Sequence, residues 1–291
     1  MKEITILSGK GGAGKTSVAA AFASLATHSV FCDTDVDAAD LHLIFRPEIL
    51  EEHAFDSGSI AWIDPDKCTS CGLCEAYCRF GAIHTNAIGI PEVNPFQCEG
   101  CRLCERICPE NAITSIQNTN NQWFVSKTRF GPLVHAKMGA GEENSGKLVT
   151  EIREKAKKMA RDLNAEFIIS DGPPGIGCPA IASVTGTQAV LLVIEPSLSG
   201  LHDAKRLFDL VKSFSIPAFA VINKFDIHPE ITQQTERFLQ DNNIPLLGRI
   251  PFNTLMVTSM VREKTVLEYA PDHEISTIIH GVWEKVKKAR F

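Results

Sequence analysis

Residues 4–16 decide the fold of this chain and read ITILSGKGGAGKT. The short apolar run at residues 4–8 predicts a buried β-strand, and the alanine-rich stretch from Lys15 to about residue 26 predicts a helix. Between them, residues 9–16 fit the pattern G-x-x-x-x-G-K-[ST], which requires this strand–turn–helix context. Its glycines let backbone N–H groups wrap phosphates, Lys15 reaches the β- and γ-phosphates, and Thr16 offers a hydroxyl to Mg²⁺. The alternative is a glycine-rich turn with a chance lysine.

A further lysine makes the pattern more specific. Residues 10–16 resemble the deviant Walker A loop of the MinD/ParA/Mrp ATPases and the nitrogenase iron protein. The resemblance implies an ATP-dependent homodimer in which Lys10 crosses the interface to the partner's nucleotide, whereas spacing alone leaves Lys10 a solvated surface charge. It also implies a nucleotide-binding set, namely Gly9, Lys10, Gly11, Gly12, Ala13, Gly14, Lys15, Thr16 and Ser17.

Two acidic segments follow predicted strands, as they do in the same family. Residues 33–37, DTDVD, resemble switch I, which implies that Asp35 orients the attacking water and Asp33 supports the Mg²⁺ shell. Residues 171–175, DGPPG, resemble Walker B with switch II, which implies that Asp171 holds a magnesium-bound water and the Gly175 N–H senses the γ-phosphate. The alternative for residues 33–37 is an ordinary acidic turn. By resemblance, the catalytic residues are Lys10, Lys15 and Asp35, and the magnesium residues are Thr16, Asp33 and Asp171.

Two shorter matches point to contacts with the nucleotide base. Asn223-Lys224 and Pro251-Phe252-Asn253 follow predicted strands and resemble the base-contacting segments of the family, which implies base contacts from Asn223, Lys224, Pro251 and Asn253. As bare dipeptides and tripeptides, the same residues also suit plain turns.

Strands and helices alternate along most of the chain. Continuous apolar runs suit a parallel sheet that is covered on both faces, and a doubly wound, mostly parallel α/β fold is expected. Besides residues 4–8, the predicted strands are residues 29–33, 166–170, 189–194, 218–222 and 245–250, with a hairpin at 123–127 and 133–138. Ser145 is predicted to cap a helix with an apolar stripe of Leu148, Ile152, Ala156, Met159 and Leu163.

A cysteine-rich segment interrupts the alternation of predicted strands and helices. Of ten cysteines, eight lie between Cys68 and Cys108. A disulfide scaffold suits small secreted chains better than a chain of 291 residues with no export signal. The cysteines form two runs of C-x-x-C-x-x-C-x-x-x-C, offset by 30 residues, which indicates an internal repeat. This unit interrupts the α/β pattern, so the predicted domains are residues 1–58 with 119–291 and, inserted between them, residues 59–118.

The spacing of the two runs resembles that of bacterial two-cluster ferredoxins, in which the fourth cysteine of each run binds the other cluster. The resemblance implies two [4Fe–4S] clusters in an inserted α+β ferredoxin-like module. One cluster would be held by Cys68, Cys71, Cys74 and Cys108, and the other by Cys98, Cys101, Cys104 and Cys78. Arg79 departs from the pattern, which usually has proline there. Two structural zinc sites are the alternative, although the third cysteine of each run would then be redundant.

Four other features receive structural interpretations. Cys178 follows Asp171 by seven residues, where the nitrogenase iron protein has a ligand to its bridging cluster, but the preceding loop lacks a second cysteine. Cys178 is therefore expected to be a small buried residue, and Cys32 to pack inside a strand. His135 is expected to be structural. Residues 141–147 suggest either a capped helix start or a contact with the cysteine module or a client.

Charge and hydropathy limit the partners. The net charge of -6 argues against a dedicated nucleic-acid binder. No apolar run reaches the roughly 18 residues of a membrane span, and a cytoplasmic protein is expected. A C-terminal apolar stripe, flanked by lysines, is expected to pack on its own domain, with membrane binding as the alternative. It consists of Ile275, Ile278, Ile279, Val282, Trp283 and Val286.

The leading hypothesis is a dimeric MgATP-hydrolysing P-loop ATPase coupled to a two-cluster iron–sulfur module. Its expected output is ATP-gated electron transfer or assembly of a metal cofactor for a client protein. One alternative is a MinD-like positioning ATPase. The other is an ATP-dependent ligase like cobyrinic acid a,c-diamide synthase, although no cysteine follows Cys178 to serve a glutaminase domain.

Overall fold

The computed structural model describes residues 1–55, 58–95, 97–117, 121–139 and 145–289. The chain forms two compact units. The larger unit comprises Met1–His53, Trp123–Lys137 and Ser145–Phe291, and the smaller comprises Ala54–Gln122 and Met138–Asn144. The division into an ATPase domain and an inserted domain at residues 58/59 and 118/119 stays a prediction. No described helix combines the length and apolar character that a membrane span requires.

The strands and helices alternate in chain order. The strands are β1 (Lys2–Ser8), β2 (Ser29–Asp33), β3 (Glu48–Phe55), β4 (Ser59–Ile63), β5 (Ile83–Thr85), β6 (Pro91–Val93), β7 (Ile113–Gln117), β8 (Asn121–Lys127), β9 (Pro132–Lys137), β10 (Phe167–Pro174), β11 (Ala189–Ile194), β12 (Ala218–Asn223) and β13 (Leu246–Ile250). The helices are α1 (Lys15–Ala23), α2 (Leu41–Phe45), α3 (Leu73–Ala76), α4 (Leu103–Ile107), α5 (Ser145–Asp162), α6 (Cys178–Val184), α7 (Leu198–Ser213), α8 (Pro229–Asp241), α9 (Leu255–Val261), α10 (Val266–Tyr269) and α11 (Glu274–Lys288).

One mostly parallel sheet organises the larger unit. Its order is β13-β12-β11-β1-β10-β2-β9-β8-β3, and the strands from β13 to β9 pair in parallel. A tight turn between Thr128 and Gly131 joins β8 to β9, as the predicted hairpin requires. The predicted α/β fold with a mostly parallel sheet is confirmed. The sequence did not predict β3, whose side chains are mostly exposed and include three glutamates, as suits the edge of a sheet.

The sheet has a hydrophobic core on each face. In β11, Leu191 and Val193 pack in one core, while Val190 and Leu192 pack in the other, because successive side chains of a strand point to opposite faces. Helices α1 and α11 cover the first face, and α7 covers the second. The central strands are therefore buried on both sides, which explains their continuous apolar sequences.

Two details of the predicted helices need correction. Helix α1 ends at Ala23, three residues before the predicted end. In α5 the predicted residues Leu148, Ile152 and Ala156 are buried, but Leu163 lies beyond the helix end and is 56% exposed. The buried stripe continues through Ala160 instead, because the helix stops at Asp162.

The smaller unit repeats itself in structure as well as in sequence. Strand β4 pairs with β7, and β5 pairs with β6, both antiparallel. The backbone N–H groups of Ala82 and Ala112 donate to the sulfur atoms of Cys78 and Cys108, each at 3.3 Å. Left-handed φ values also recur 30 residues apart, in the pairs Ser70 and Gly100, Gly72 and Arg102, and Gly81 and Asn111. Its small core is formed by Ala61, Cys74, Ile83 and Ile113.

Candidate functional site

Two glycines of the loop after β1, Gly9 and Gly14, lie where a larger side chain would not fit. Gly14 has φ 96° and precedes the first residue of α1. A Cβ atom there would lie 2.3 Å from Nδ2 of Asn223, and one on Gly9 would lie 2.5 Å from the backbone of Asp203. The loop is thus packed closely by β12 and α7, and it leads directly into a helix N-terminus. Such a terminus attracts anions through its free N–H groups and its dipole.

Lys15 lies at the centre of the predicted site. The side chain is 6% exposed, and its Nζ atom lies 3.5 Å from Oδ2 of Asp35. Strand pairing places Asp33 of β2 opposite Asp171 of β10, at the same end of the sheet. The structure therefore brings together the lysine and three carboxylates that the sequence had assigned to separate motifs. Burial raises the pKa of Asp35, and the nearby Lys15 opposes this rise.

Asp171 is the least satisfied of these carboxylates. It is 1% exposed, and neither oxygen accepts a well-formed hydrogen bond. Burial raises its pKa to about 6, against the opposing effects of Lys15 and the Thr16 hydroxyl. Burial of this carboxylate is costly even with Lys15 and Thr16 nearby, and a divalent cation would supply further positive charge. The position beside Thr16 and the oxygen chemistry fit Mg²⁺.

Asp33 has a different environment. Its two carboxylate oxygens accept the backbone N–H groups of Asp35, at 3.3 Å, and of Leu41, at 3.1 Å. Burial, followed by the charge of Asp171, raises its pKa well above the usual range. These bonds fix the turn between β2 and α2, so Asp33 holds Asp35 in place as well as adding charge near Asp171.

The signature lysine pairs within its own chain. Nζ of Lys10 donates to Oγ of Ser197 at 3.0 Å and lies 3.6 Å from Oε1 of Glu195. Glu195 also pairs with Lys224 at 3.0 Å, and Lys224 donates to the carbonyl of Gly12. Glu195 and Ser197 are not among the site residues predicted from the sequence. The available signal was their position just after β11, because ligands of α/β folds gather at the carboxyl ends of strands.

The remaining predicted nucleotide residues differ in what they contact. Asn223 donates from Nδ2 to the Ala13 carbonyl at 2.8 Å, beside the loop. The Gly175 N–H, predicted to sense the γ-phosphate, donates to the Ser8 carbonyl at 3.0 Å. Asn253 accepts the N–H of Leu255 near the start of α9. Ser17, on α1, donates to Sδ of Met260 at 3.1 Å, which links α1 to α9.

Two cavities in the smaller unit are lined by cysteine. The first is lined by Cys68, Cys71, Cys74 and Cys108, and the second by Cys78, Cys98, Cys101 and Cys104. These are the two sets that the ferredoxin resemblance implies, each combining residues from both runs. Backbone N–H groups donate to four sulfurs, namely those of Cys68, Cys78, Cys98 and Cys108.

The side chains of the described residues do not form a ready site for a single metal ion. No group of three or more His, Cys, Asp or Glu side chains among the described residues comes together closely enough to hold one ion. Thiolates on one zinc would all lie at about 2.3 Å from it. A four-iron cluster holds its thiolates further apart and is stabilised by N–H donors to sulfur. The lining of each cavity supplies four thiols, which is the number of ligands that one such cluster takes. Burial raises the pKa of Cys104 to about 11, so that thiol is neutral until a metal cation binds.

Cys178 contradicts its predicted burial. It is exposed, because it is the first residue of α6 rather than part of the core. The buried position of Cys32 is confirmed. Residues 141–144 of the predicted polar loop lie outside the described residues, and Ser145 begins α5.

The two other structural interpretations agree with the observed packing. His135 lies 3.0 Å from the Ser126 hydroxyl and stacks on Phe124. Burial lowers its pKa to about 4, so the ring is neutral near pH 7. In α11, the apolar stripe packs into the core beside α1, and Trp283 contacts Phe22 with ring centroids 5.1 Å apart. Ile278 of this stripe is partly buried.

Comparisons with known proteins agree with this architecture. An uncharacterized Methanocaldococcus jannaschii protein, MJ0578, is 31% identical over 297 residues, which cover 98% of this chain and 96% of that protein. The Pyrococcus horikoshii septum site-determining protein MinD, solved with Mg-ADP, has a TM-score of 0.61 and 17% identity and covers 99% of this chain and 96% of its own. The Cyanothece McdA(D38A)–ATP complex has a TM-score of 0.60 and 15% identity, with coverages of 100% and 98%.

A family model extends the agreement to sequence. The model for the CobQ/CobB/MinD/ParA nucleotide-binding domain matches residues 4–266, which include the glycine-rich loop, both acidic segments and the cysteine-rich stretch. Together with the geometry around Lys15 and Asp171, this match shows that the chain belongs to the CobQ/CobB/MinD/ParA nucleotide-binding family.

Proposed function

We propose that this chain is an MgATP-dependent ATPase whose nucleotide state is coupled to a two-cluster iron–sulfur unit. The observation that carries the nucleotide part is Asp171, buried and without a well-formed hydrogen bond, at the strand end next to Lys15. The P-loop N–H groups and Lys15 would bind the phosphates, while Thr16 and Asp171 would hold Mg²⁺ and its waters. Support comes from the family match and from relatives solved with Mg-ADP and ATP.

Hydrolysis on this proposal depends on charge and position. Asp35, held by the Asp33 turn and facing Lys15, would orient the attacking water. Lys15 and the metal would stabilise charge that develops on the transferred phosphoryl group. Binding of the γ-phosphate would require the Gly175 N–H to leave the Ser8 carbonyl. Asn223 and Lys224 would contact the nucleotide from β12, and Pro251 and Asn253 would do so from β13.

An ATP-dependent homodimer is the expected active state. For Lys10 to reach a partner's nucleotide, it must leave Glu195 and Ser197 of its own chain. These groups are partly exposed, so the contact is worth no more than about 1 kcal/mol and does not block the exchange. Dimerisation would therefore replace one set of Lys10 contacts by another.

The cysteine unit would hold two [4Fe–4S] clusters in its two cavities. Each cavity has four thiols from both runs, and four of the eight sulfurs already accept backbone N–H groups. When bound, each cluster would store or pass one electron at a time. The chain would supply thiolates, N–H donors and a partly apolar lining from Ile83 and Ile113.

The coupling is inferred from the path of the chain. The switch-like turn at Asp33–Asp40 leads through α2 and β3 into the cysteine unit, and β8, β9 and α5 lead back to β10, which carries Asp171. A change at either acidic segment therefore acts on the chain that enters or leaves the cysteine unit. The output would be gated electron transfer or delivery of a metal cofactor to a client protein.

A MinD-like positioning ATPase is the second candidate. The names of the solved relatives favour it, since they include the septum site-determining protein MinD. In this chain, however, Ile275, Ile279 and Trp283 of α11 are buried in the domain core, and are not free to enter a membrane. Co-sedimentation with anionic vesicles in the presence of MgATP would support positioning at a membrane, and absence of pelleting would count against it.

One anaerobic preparation tests the main proposal. The full chain should contain about eight iron and eight sulfide and absorb as [4Fe–4S] proteins do. It should also hydrolyse ATP, and Asp35→Asn should bind ATP but turn over slowly. A colourless protein that contains zinc would refute the cluster assignment, and unchanged turnover in Asp35→Asn would refute the role of Asp35.

A further inference from the structure

The two cysteine cavities have matching ligands but different rims. The 30-residue repeat aligns Gly72 with Arg102 and Pro109 with Arg79. The first cavity is lined by Gly72 and Pro109, whereas the second is lined by Arg79 and Arg102. The second cavity is therefore lined by two arginines at the positions where the first is lined by glycine and proline.

The backbone at Arg102 strengthens this difference. Arg102 has φ 59°, and its counterpart Gly72 has φ 77°, so both occupy the left-handed region. That region favours glycine, and a non-glycine residue there is disfavoured without a compensating role. The Arg102 side chain is oriented by a hydrogen bond from Nε to Oγ of Ser59, at 3.4 Å. The second copy thus retains a side chain at a position where the first copy keeps glycine.

The rim charges differ in sign. Beside the second cavity, Arg79 and Arg102 outweigh Glu99, while the first cavity has Glu110 as its charged lining residue. Glu75 and Glu105 accept matching hydrogen bonds from the Thr85 and Ser115 hydroxyls, so each copy carries one such carboxylate. Positive charge beside an iron–sulfur cluster favours its reduced form, because reduction adds a negative charge.

We propose that Arg79 and Arg102 make the second cavity, lined by Cys78, Cys98, Cys101 and Cys104, the preferred electron site of the chain. This inference rests on the proposed function, since it presupposes a cluster in each cavity. The group held in the second cavity has the higher reduction potential, and the first electron entering the unit resides there. Each reduction step transfers one electron from the reductant. No bond is formed or broken, and no proton is transferred.

The repeat supplies the test variants. Arg79→Pro and Arg102→Gly each introduce the residue that the other copy carries at the same position. Arg106→Ala is the matched control, because it also introduces its counterpart, Ala76, and removes an exposed arginine of α4 that does not line the cavity. Arg79→Lys and Arg102→Lys keep the charge, and Arg79→Gln covers the case in which proline prevents folding.

The measurement is a dithionite titration of the full-length, anaerobically purified chain with redox mediators, followed by electron paramagnetic resonance. Iron and sulfide content is determined first for each variant. We expect two one-electron steps in the unaltered protein that differ at least tenfold in equilibrium constant, or about 59 mV. Arg79→Pro and Arg102→Gly should each lower the equilibrium constant of the reduction step at higher potential about threefold. The difference in potential between the two steps should become smaller. Arg106→Ala and the lysine variants should preserve it.

The possible failures are distinguishable. A chain without about eight iron refutes the proposed function and this inference together. If the iron and sulfide content is full but the two reduction steps coincide, only the inference is refuted. The same holds if both arginine substitutions leave the difference in potential between the steps unchanged. A separation that widens on substitution would also overturn it, because the arginines would then lie beside the cluster of lower potential. Higher ionic strength should narrow the separation, since exposed charges are screened.

Discussion

The nucleotide site and the cysteine unit are built in opposite ways. Around Lys15, the carboxylates of Asp33, Asp35 and Asp171 are buried, and the parallel strands β2 and β10 place Asp33 opposite Asp171. The cysteine unit has a core of four buried residues. Of the eight cysteines that line its cavities, five are partly buried, Cys71 and Cys101 are exposed, and Cys74 alone is buried. The fold therefore positions the first site, whereas we expect the order of the second to depend on a bound metal group.

Removal of metal should produce the largest difference between the two regions. In the anaerobic protein treated with an oxidant and a chelator, amide hydrogens of β4 and β7 should exchange about 1000-fold faster, because binding energy of the metal groups is folding energy of a small domain. Amides of β1 and β10 should be unaffected, since their sheet is buried on both faces. Equal loss of protection from amide hydrogen exchange in both regions would contradict this difference between them. No loss of protection in β4 and β7 would contradict it as well.

Substitution of Lys15 should remove nucleotide binding without disturbing the cysteine unit. Lys15→Ala deletes a buried cation and should weaken MgATP binding by about 100-fold or more, measured by calorimetry. Lys10→Ala is the matched control, because Lys10 pairs with Glu195 away from the buried carboxylates. It should keep the affinity of the monomer for MgATP and lose the ATP-dependent dimer, measured by light scattering. A Lys10→Ala chain that still dimerises would refute the proposed role of Lys10.

The charge on Asp171 should make the stability of the ligand-free larger unit depend on pH. Its folded pKa, about 6, lies above the ordinary value of 3.8, so the folded state binds the proton more tightly than the unfolded state does. The ionised Asp171 carboxylate therefore does not destabilise the folded state below pH 4, and its destabilising effect grows as the pH rises towards 6. Asp171→Asn should raise the free energy of unfolding at pH 7.5 by on the order of 1–3 kcal/mol, with no gain near pH 4.

Urea unfolding monitored by circular dichroism checks this effect, with the exposed Asp209→Asn as control. The same Asp171→Asn chain should lose stabilisation by MgATP. If Asp171→Asn is less stable than the parent at pH 7.5, burial of the Asp171 charge does not destabilise the ligand-free fold.

The smallest expected effect concerns the two cysteines outside the cavities. Cys178 should react with a maleimide in the native protein, whereas Cys32 should react only after unfolding, because it is fully buried and burial raises its pKa. Cys178→Ser should leave MgATP affinity within about twofold, since its side chain is exposed. Mass spectrometry of labelled peptides provides the readout, and rapid native labelling of Cys32 would contradict the packing of β2.

Local patterns predicted the parts of the site that lie close together in sequence. The loop at residues 9–16, the acidic turns and the 30-residue repeat each depend on fixed spacings, and strand ends follow from apolar runs. The pairing of Lys10 with Glu195 was not predictable, because it requires β11 to lie beside β1, a contact between distant parts of the chain. The exposure of Cys178 depends on the residue at which α6 begins. The spacing of apolar residues in the sequence does not determine that starting residue.

The most direct test of the account is the effect of nucleotide on the reduction of the cysteine unit. We predict that a non-hydrolysable MgATP analogue, compared with MgADP, changes the equilibrium constant of at least one reduction step by about fivefold or more, with Lys15→Ala abolishing the difference. Reduction should change affinity for the analogue by the same factor, because coupling between sites is reciprocal. Titration curves that coincide in both nucleotides, in a protein with full cluster content, would contradict the account.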